Sequence, residues 1–341
     1  MKTGPHGRRF ARNLFSRQQW PVVLALLLLV AALAMPPVIL PRDTARYIVT
    51  FDITQSMDTE DVGSNDAPSS RLDFARAATR ETLGKLPCGS KVGWSVFTGQ
   101  RTLLLLPPVE VCRNFDTLLS SLNEIDGRMR WTNWSRVAEG GIYSAVRTAQ
   151  EVGLDTAVIF VTDGQEAPPV LPSNDRVREV ASGKVHGWLI GVGGDQPANI
   201  PKTDANGNRV GFWHADDVIQ VPTIPGKPTT VESHEELSQL QGEYLASVAS
   251  RIGFKYQRLF GAEALTRAML DPQLMHREPA ATNLNWCPAL LALLLLTWRF
   301  LPSWGLRGLR LRRRQTVSSS ASHAGAKRAV TGQDHVIRIT M

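Results

Sequence analysis

Two long apolar runs bracket this chain, and shorter runs of two different periods fill the space between them. Residues 21–40 (PVVLALLLLVAALAMPPVIL) are 20 consecutive uncharged positions, about the number an α-helix needs to cross roughly 30 Å of hydrocarbon. Residues 286–306 (WCPALLALLLLTWRFLPSWGL) form a second run with one charge, Arg299, near the end where a long side chain can snorkel to headgroups. Between the two runs, apolar stretches predict strands at Arg46–Phe51, Lys91–Thr98, Arg101–Leu106, Thr156–Thr162, Val185–Val192 and Phe254–Leu259. Helical periodicity predicts helices at Leu72–Leu83, Phe115–Leu122, Ser135–Val152, Asp175–Ala181, Glu235–Arg251 and Ala262–Met269. Strands alternating with helices predict an α/β fold, a doubly wound and mostly parallel Rossmann-like sheet with one antiparallel edge hairpin. In such folds the ligand site lies at the carboxyl ends of the strands.

The hairpin carries a prediction about the cysteines. Gly99-Gln100 is a Gly-X pair suited to a type II′ turn, and antiparallel partners around it have residue numbers that sum to about 199. Cys88 and Cys112 therefore face each other just beyond the strand ends, predicting a disulfide in an oxidising compartment. The alternative is two separately buried thiols. Cys287 lies in the second apolar run with no evident partner.

Charge decides how the apolar runs are used. The net +7 is confined to the ends, because residues 1–40 hold five basic and no acidic residues and residues 299–341 hold nine basic and one acidic. Residues 41–298 balance 24 Lys/Arg against 30 Asp/Glu, which removes the electrostatic case for nucleic acid. Basic residues outside both runs (Arg8, Arg9, Arg12 and Arg17; Arg307, Arg310, Arg312, Arg313 and Arg314) place both termini in the cytoplasm by the positive-inside rule. Trp20, Trp286, Trp298 and Trp304 sit at or near the expected boundaries. The expected organisation is a basic cytoplasmic segment (1–19), a transmembrane helix (20–41), a periplasmic domain (42–271), a linker (272–285), a second transmembrane helix (286–306) and a basic tail (307–341), in a bacterial inner membrane. Ala32-Leu33-Ala34 keeps a cleaved signal peptide open as the rival reading of the first run.

The chemistry concentrates at strand ends. In Tyr47-Ile48-Val49-Thr50-Phe51-Asp52-Ile53-Thr54-Gln55-Ser56, an apolar strand delivers a carboxylate and two hydroxyls at alternating positions. TAVIFVT delivers Asp163 at the same edge, and Arg130-Trp131-Thr132-Asn133-Trp134 offers a further hydroxyl before a helix. Hard oxygen donors from three loops, without His or Cys, suit magnesium, calcium or manganese rather than zinc. Taken singly, each residue has an ordinary alternative as a helix cap or turn former. Trp131 and Trp134 are either core or an exposed aromatic rim that contacts a partner.

This pattern resembles the von Willebrand factor A domain with its metal-ion-dependent adhesion site, over roughly residues 46–260. The family's D-x-S-x-S, Thr and Asp elements map onto Asp52, Thr54, Ser56, Thr132 and Asp163, with Thr54 keeping the hydroxyl of the usual serine. The resemblance implies a divalent cation, Mg²⁺ ahead of Ca²⁺, and a periplasmic or membrane partner that offers an acidic residue to it. The two-span topology is similar to membrane-anchored bacterial members of the family. YIVTFDITQSM and DANGNRVGFW resemble accessory proteins of methanol dehydrogenase, implying maturation of a periplasmic quinoprotein, including calcium insertion. Topology and insertion are shared with Bat-type proteins, which implies instead a MoxR-family AAA+ ATPase partner and envelope assembly or stress tolerance. An enzyme is not expected, since Thr54 stands where an aspartyl phosphatase wants a second Asp and no G-x-S-x-G is present. Gly191-Val192-Gly193-Gly194 does not complete a dinucleotide fingerprint, and Asp204-Ala205-Asn206-Gly207-Asn208 lacks the closing Glu of a calcium loop and predicts a hairpin instead.

Overall fold

The structure, a computed structural model, describes residues 19–64, 67–153, 155–169, 185–204, 206–220 and 234–300. The helix expected at Asp175–Ala181 and the basic clusters at both ends lie outside the described residues. The chain divides into two compact units, Pro37–Thr282 and the flanking residues.

In the larger unit the main strands are β1 (Val38–Thr44), β2 (Arg46–Asp52), β3 (Lys91–Phe97), β4 (Thr102–Glu110), β5 (Thr156–Thr162), β6 (Gly187–Gly191), β7 (Lys255–Arg258) and β8 (His276–Thr282). The chain's helices, flanks included, are α1 (Trp20–Ala34), α2 (Arg71–Leu83), α3 (Phe115–Asn123), α4 (Tyr143–Val152), α5 (Gly242–Ile252), α6 (Ala262–Met269) and α7 (Trp286–Phe300). Six strands form one sheet in the order β7-β6-β5-β2-β3-β4, all parallel except the edge strand β4. β2 lies inside the sheet between β5 and β3, and its side chains alternate between two covered faces. Tyr47, Val49 and Phe51 join α2, α3 and α6 on one side, whereas Ile48 joins Phe160, Leu189, α4 and α5 on the other. Burial on both faces is why these strands read as continuous apolar runs rather than alternating ones.

The expected hairpin is present, and its register pairs Phe97 with Thr102, as the turn at Gly99-Gln100 requires. Irregularities around Gly93 then shift the pairing to Lys91 with Glu110. Only glycine fits at Gly93, because a Cβ there would lie 2.5 Å from the Leu106 carbonyl oxygen. Cys88 and Cys112 are disulfide-bonded with Cα atoms 5.3 Å apart. The bridge closes a loop of 24 residues, so replacing both cysteines with serine should lower unfolding free energy by about 3 kcal/mol. Urea unfolding of the oxidised protein beside the double variant checks this.

Sequence and structure differ at both flanks. The 20–41 stretch is not one helix: α1 stops at Ala34, and Val38–Leu40 belong to β1. Pro36 and Pro37 are the reason, since proline lacks the amide and drives the preceding residue out of helical geometry. β1 pairs with β8 from Val38↔Thr282 to Thr44↔His276, so the expected linker 272–285 contains a strand and the compact unit extends beyond 42–271. α1 and α7 are each 15 residues, about 22 Å of helix. Among the described residues no helix is long and apolar enough to cross a membrane, and residues 301–306 of the second expected span are not among them. Within their own unit, α1 and α7 pack together through small residues, with Ala25, Ala32 and Ala292 buried.

Candidate functional site

Asp52 ends β2 at the carboxyl edge of the sheet, and Thr54 opens a 3₁₀ turn, Gln55–Asp58, that leads away from it. Asp52 is fully buried. Its Oδ1 accepts from the Thr54 amide (2.9 Å) and the Thr54 hydroxyl (2.7 Å), and its Oδ2 accepts from Thr162 Oγ1 (2.6 Å). Thr54 Oγ1 is 3.2 Å from Ser56 Oγ. Every hydrogen-bond donor to Asp52 is neutral, so burial, and then the charge of Asp163, push its carboxyl up to about 7.

Asp163 directly follows β5 and is equally buried, but it has a cation. Arg71 Nη1 donates to Asp163 Oδ2 (2.6 Å) and to Ser238 Oγ (2.7 Å), while Nε and Nη2 donate to Asp61 (2.9 and 2.5 Å). Arg71 also donates to the Ser56 carbonyl (3.3 Å). Its side chain has no exposed surface, and one guanidinium therefore ties the first motif loop, the Asp163 loop and the Ser238 segment together. The two carboxylates are thus unequal: Asp163 is neutralised by the protein and Asp52 is not.

The third expected loop arrives differently. Thr132 Oγ1 accepts from the Trp134 amide (3.1 Å), closing a turn within its own loop. The loop reaches the motif through Asn133, whose Oδ1 accepts from Gln55 Nε2 (3.1 Å). The structure thus gathers Asp52, Thr54, Ser56 and Asp163 into one cluster, with Thr132 alongside in a contacting loop. Trp131 and Trp134 are 59% and 52% exposed, so they form a rim and not core.

The resemblance to von Willebrand A domains implies a metal here, and the donors present fit one. Asp52, Thr54 and Ser56 supply hard oxygens around a buried negative charge with no cationic partner, the chemistry of Mg²⁺ or Ca²⁺. Thr54 and Ser56 also line an open cleft, which gives an ion and a ligand access. The parallel sheet, its single antiparallel edge and the placement of the D-x-T-x-S loop on an interior strand fit one architecture. This is the fold expected of a von Willebrand A domain.

No family model matches the chain. In sequence it is similar to a UPF0353 protein of Mycobacterium leprae, 26% identical over 199 residues that cover 52% of this chain and 57% of that protein. A UPF0353 protein of Mycobacterium bovis is 27% identical over 245 residues, 70% of this chain and 67% of its own. The match thus spans little more than half the length of the Mycobacterium leprae relative. Among solved structures, the conserved hypothetical protein BatB from Bacteroides thetaiotaomicron aligns with 67% of this chain and 96% of its own, at 19% identity and a TM-score of 0.48.

Arg71, Thr162, Gln55, Asp61 and Ser238 contribute to the site without being among the residues expected there. Arg71 was legible: it falls in line with Ala75, Ala78 and Thr82 on the buried stripe of α2, where an arginine needs a buried partner. Thr162 and Gln55 had no such signal, because a threonine before an aspartate and a glutamine inside a turn are commonplace in one dimension.

Proposed function

We propose that the von Willebrand A domain captures a partner protein through a divalent cation held by Asp52, Thr54 and Ser56, with Asp163 and the Thr132 loop closing the site. The cation would supply a positive centre at which a partner's carboxylate binds. The protein's own part is to keep Asp52 buried and ionisable beside it, to fix Asp163 through Arg71, and to hold the hydroxyl loop open to the cleft. The observation that carries this reading is the contrast between Asp163, paired with Arg71, and Asp52, whose donors are all neutral. Binding, and not catalysis, is the proposed role, with no nucleic acid involved.

The proposed setting is the periplasmic face of a bacterial inner membrane. What supports it is the helix pair, which leaves Leu26, Leu27, Leu33, Leu291, Leu293 and Leu294 exposed on its outer surface, an apolar area that lipid would cover. The two family resemblances suggest two partners: a periplasmic quinoprotein such as methanol dehydrogenase during calcium insertion, or a MoxR-family ATPase.

The test is affinity capture from solubilised membranes with the full chain in Mg²⁺, Ca²⁺ and EDTA, beside Asp52→Ala. Retention of a partner that disappears both in EDTA and in the variant is the expected result, and its identity assigns the pathway. Equal retention in all lanes would overturn the metal-mediated role.

A further inference from the structure

Between β6 and β7 the chain builds a structure of its own against the motif loop. Its hairpin pairs Pro201–Thr203 with Arg209–Phe212, turning at Asp204, whose carboxylate accepts from the Asn206 and Asn208 amides (2.9 and 2.8 Å). Just after the hairpin, the Trp213 indole donates to Gln55 Oε1, and Gln55 in turn donates to Asn133. Gln55, between Thr54 and Ser56 of the D-x-T-x-S loop, is therefore a bridge between the hairpin and the Thr132 loop. The chain beyond Trp213 contributes Ile219, which is 64% exposed.

These contacts shape a cleft of about 210 Å³ that begins at Thr54 and Ser56 and is walled by Trp134, Pro168, Ile200, Trp213 and Ile219. Asp217 and Glu235 also line it. Lys202 pairs with Asp217 (3.3 Å) and lies 4.6 Å from the centroid of the Trp213 ring, so the Asp217 charge is offset and Lys202 is already engaged. A second acidic side chain entering there would give up water for a largely apolar wall, whereas an apolar one would cover tryptophan and isoleucine surface now facing water.

We propose that this cleft is a side-chain subsite that selects the partner segment: one acidic residue directed at the cation, followed directly by a large apolar residue seated in the cleft. The inference rests on the metal-mediated reading and adds the sequence class of the ligand to it. An acidic run, the ligand that a bare cation would favour, would set its second carboxylate against this apolar wall. The metal site supplies attraction for any carboxylate, and the Trp213 and Ile219 wall supplies discrimination.

The test uses the full chain in detergent and isothermal titration with end-blocked tetrapeptides Gly-Asp-Phe-Gly, Gly-Asp-Gly-Gly and Gly-Asp-Asp-Gly, in Mg²⁺ and in EDTA. In Mg²⁺ the Asp-Phe peptide is expected to bind about tenfold more tightly than Asp-Gly, and Asp-Asp more weakly than Asp-Phe. Ile219→Ser, an uncharged change at an exposed position, should erase the Phe advantage and leave Asp-Gly binding as it was. Equal affinity for Asp-Phe and Asp-Gly in Mg²⁺ overturns the subsite and leaves the metal reading standing. Binding that is the same in EDTA overturns the metal reading and this inference with it, as does failure of every peptide to bind.

Discussion

Arg71→Ala is expected to be the most damaging single substitution in this protein. It removes the one guanidinium that meets both Asp163 and Asp61, and both the Arg71 and Asp163 side chains are fully buried. Burial works against the arginine's charge, but the bonds to Asp61 and the charge of Asp163 outweigh it and hold the group above its usual range. Without it, Asp163 lies in a water-poor site beside Asp52 with no cation to offset either. Breaking a buried pair by deleting one partner costs about 3–5 kcal/mol, a large share of the ~5–15 kcal/mol that a domain of this kind has in total. Thermal and urea unfolding measure the loss. A drop of under about 1 kcal/mol, the range of exposed ion pairs, would show that water reaches Asp163 and that the guanidinium is not a structural tie. Arg71→Lys should rescue little, because a point charge cannot serve Asp61, Asp163 and Ser238 at once.

The second large effect has the opposite sign. In EDTA, Asp52→Asn is expected to be more stable than the natural protein, because a neutral isostere replaces a buried carboxylate that has only neutral donors. In the metal-free natural protein the folded carboxyl holds its proton to about pH 7, while the unfolded chain ionises near the ordinary value of 3.8. The unfolded state therefore binds fewer protons between those values, and stability falls as pH rises across that window and levels off above it. Asp52→Asn should lack that decline. Adding Mg²⁺ works against that ranking: at about 100 times its dissociation constant the ion adds about 2.7 kcal/mol to a protein that binds it and nothing to one that does not. Melting curves at pH 5 and pH 8, with Mg²⁺ and with EDTA, distinguish these cases. An Asp52→Asn variant that gains as much from Mg²⁺ as the natural protein would place the ion elsewhere. The trade resembles other sites where a destabilising charge is kept because function uses it.

Legibility differed by element and for identifiable reasons. Thr156–Thr162 and Ala262–Met269 matched the expected bounds residue for residue, since an apolar run between polar breaks and an amphipathic turn depend on local pattern alone. The helix expected at Ser135–Val152 starts as a π-helical turn, Val137–Ile142, and becomes α-helical only at Tyr143. Gly140 and Gly141 pack there too closely for a Cβ, against Gln100 and against Phe97 and Phe160. That is a tertiary constraint invisible to periodicity. Glu235–Arg251 likewise shortened to Gly242–Ile252, because the Leu237–Ser238 segment pairs with Ala198–Asn199 in a two-stranded piece and lends Ser238 to Arg71. The apolar stretch 20–41 misled for a related reason: composition cannot distinguish a strand from a helix once Pro36-Pro37 divides it.

For the site, the chain's order of residues by itself determined which groups stand at strand ends. The end of an apolar strand places Asp52 at the sheet edge with Thr54 and Ser56 in the loop just beyond it, and the parallel topology brings Asp163 to the same edge. The cysteine pairing followed equally from hairpin register, a property of counting residues from a turn. Only the tertiary structure decided which carboxylate is neutralised, because Asp61, Arg71, Asp163 and Ser238 meet across separations of 10 to 167 residues. It likewise decided that Trp134 and Trp213 share one cleft, since exposure and convergence depend on how loops from different strands fold back over the same edge. Such long-range meetings are set by the packing of the whole sheet, and no short window of sequence contains them.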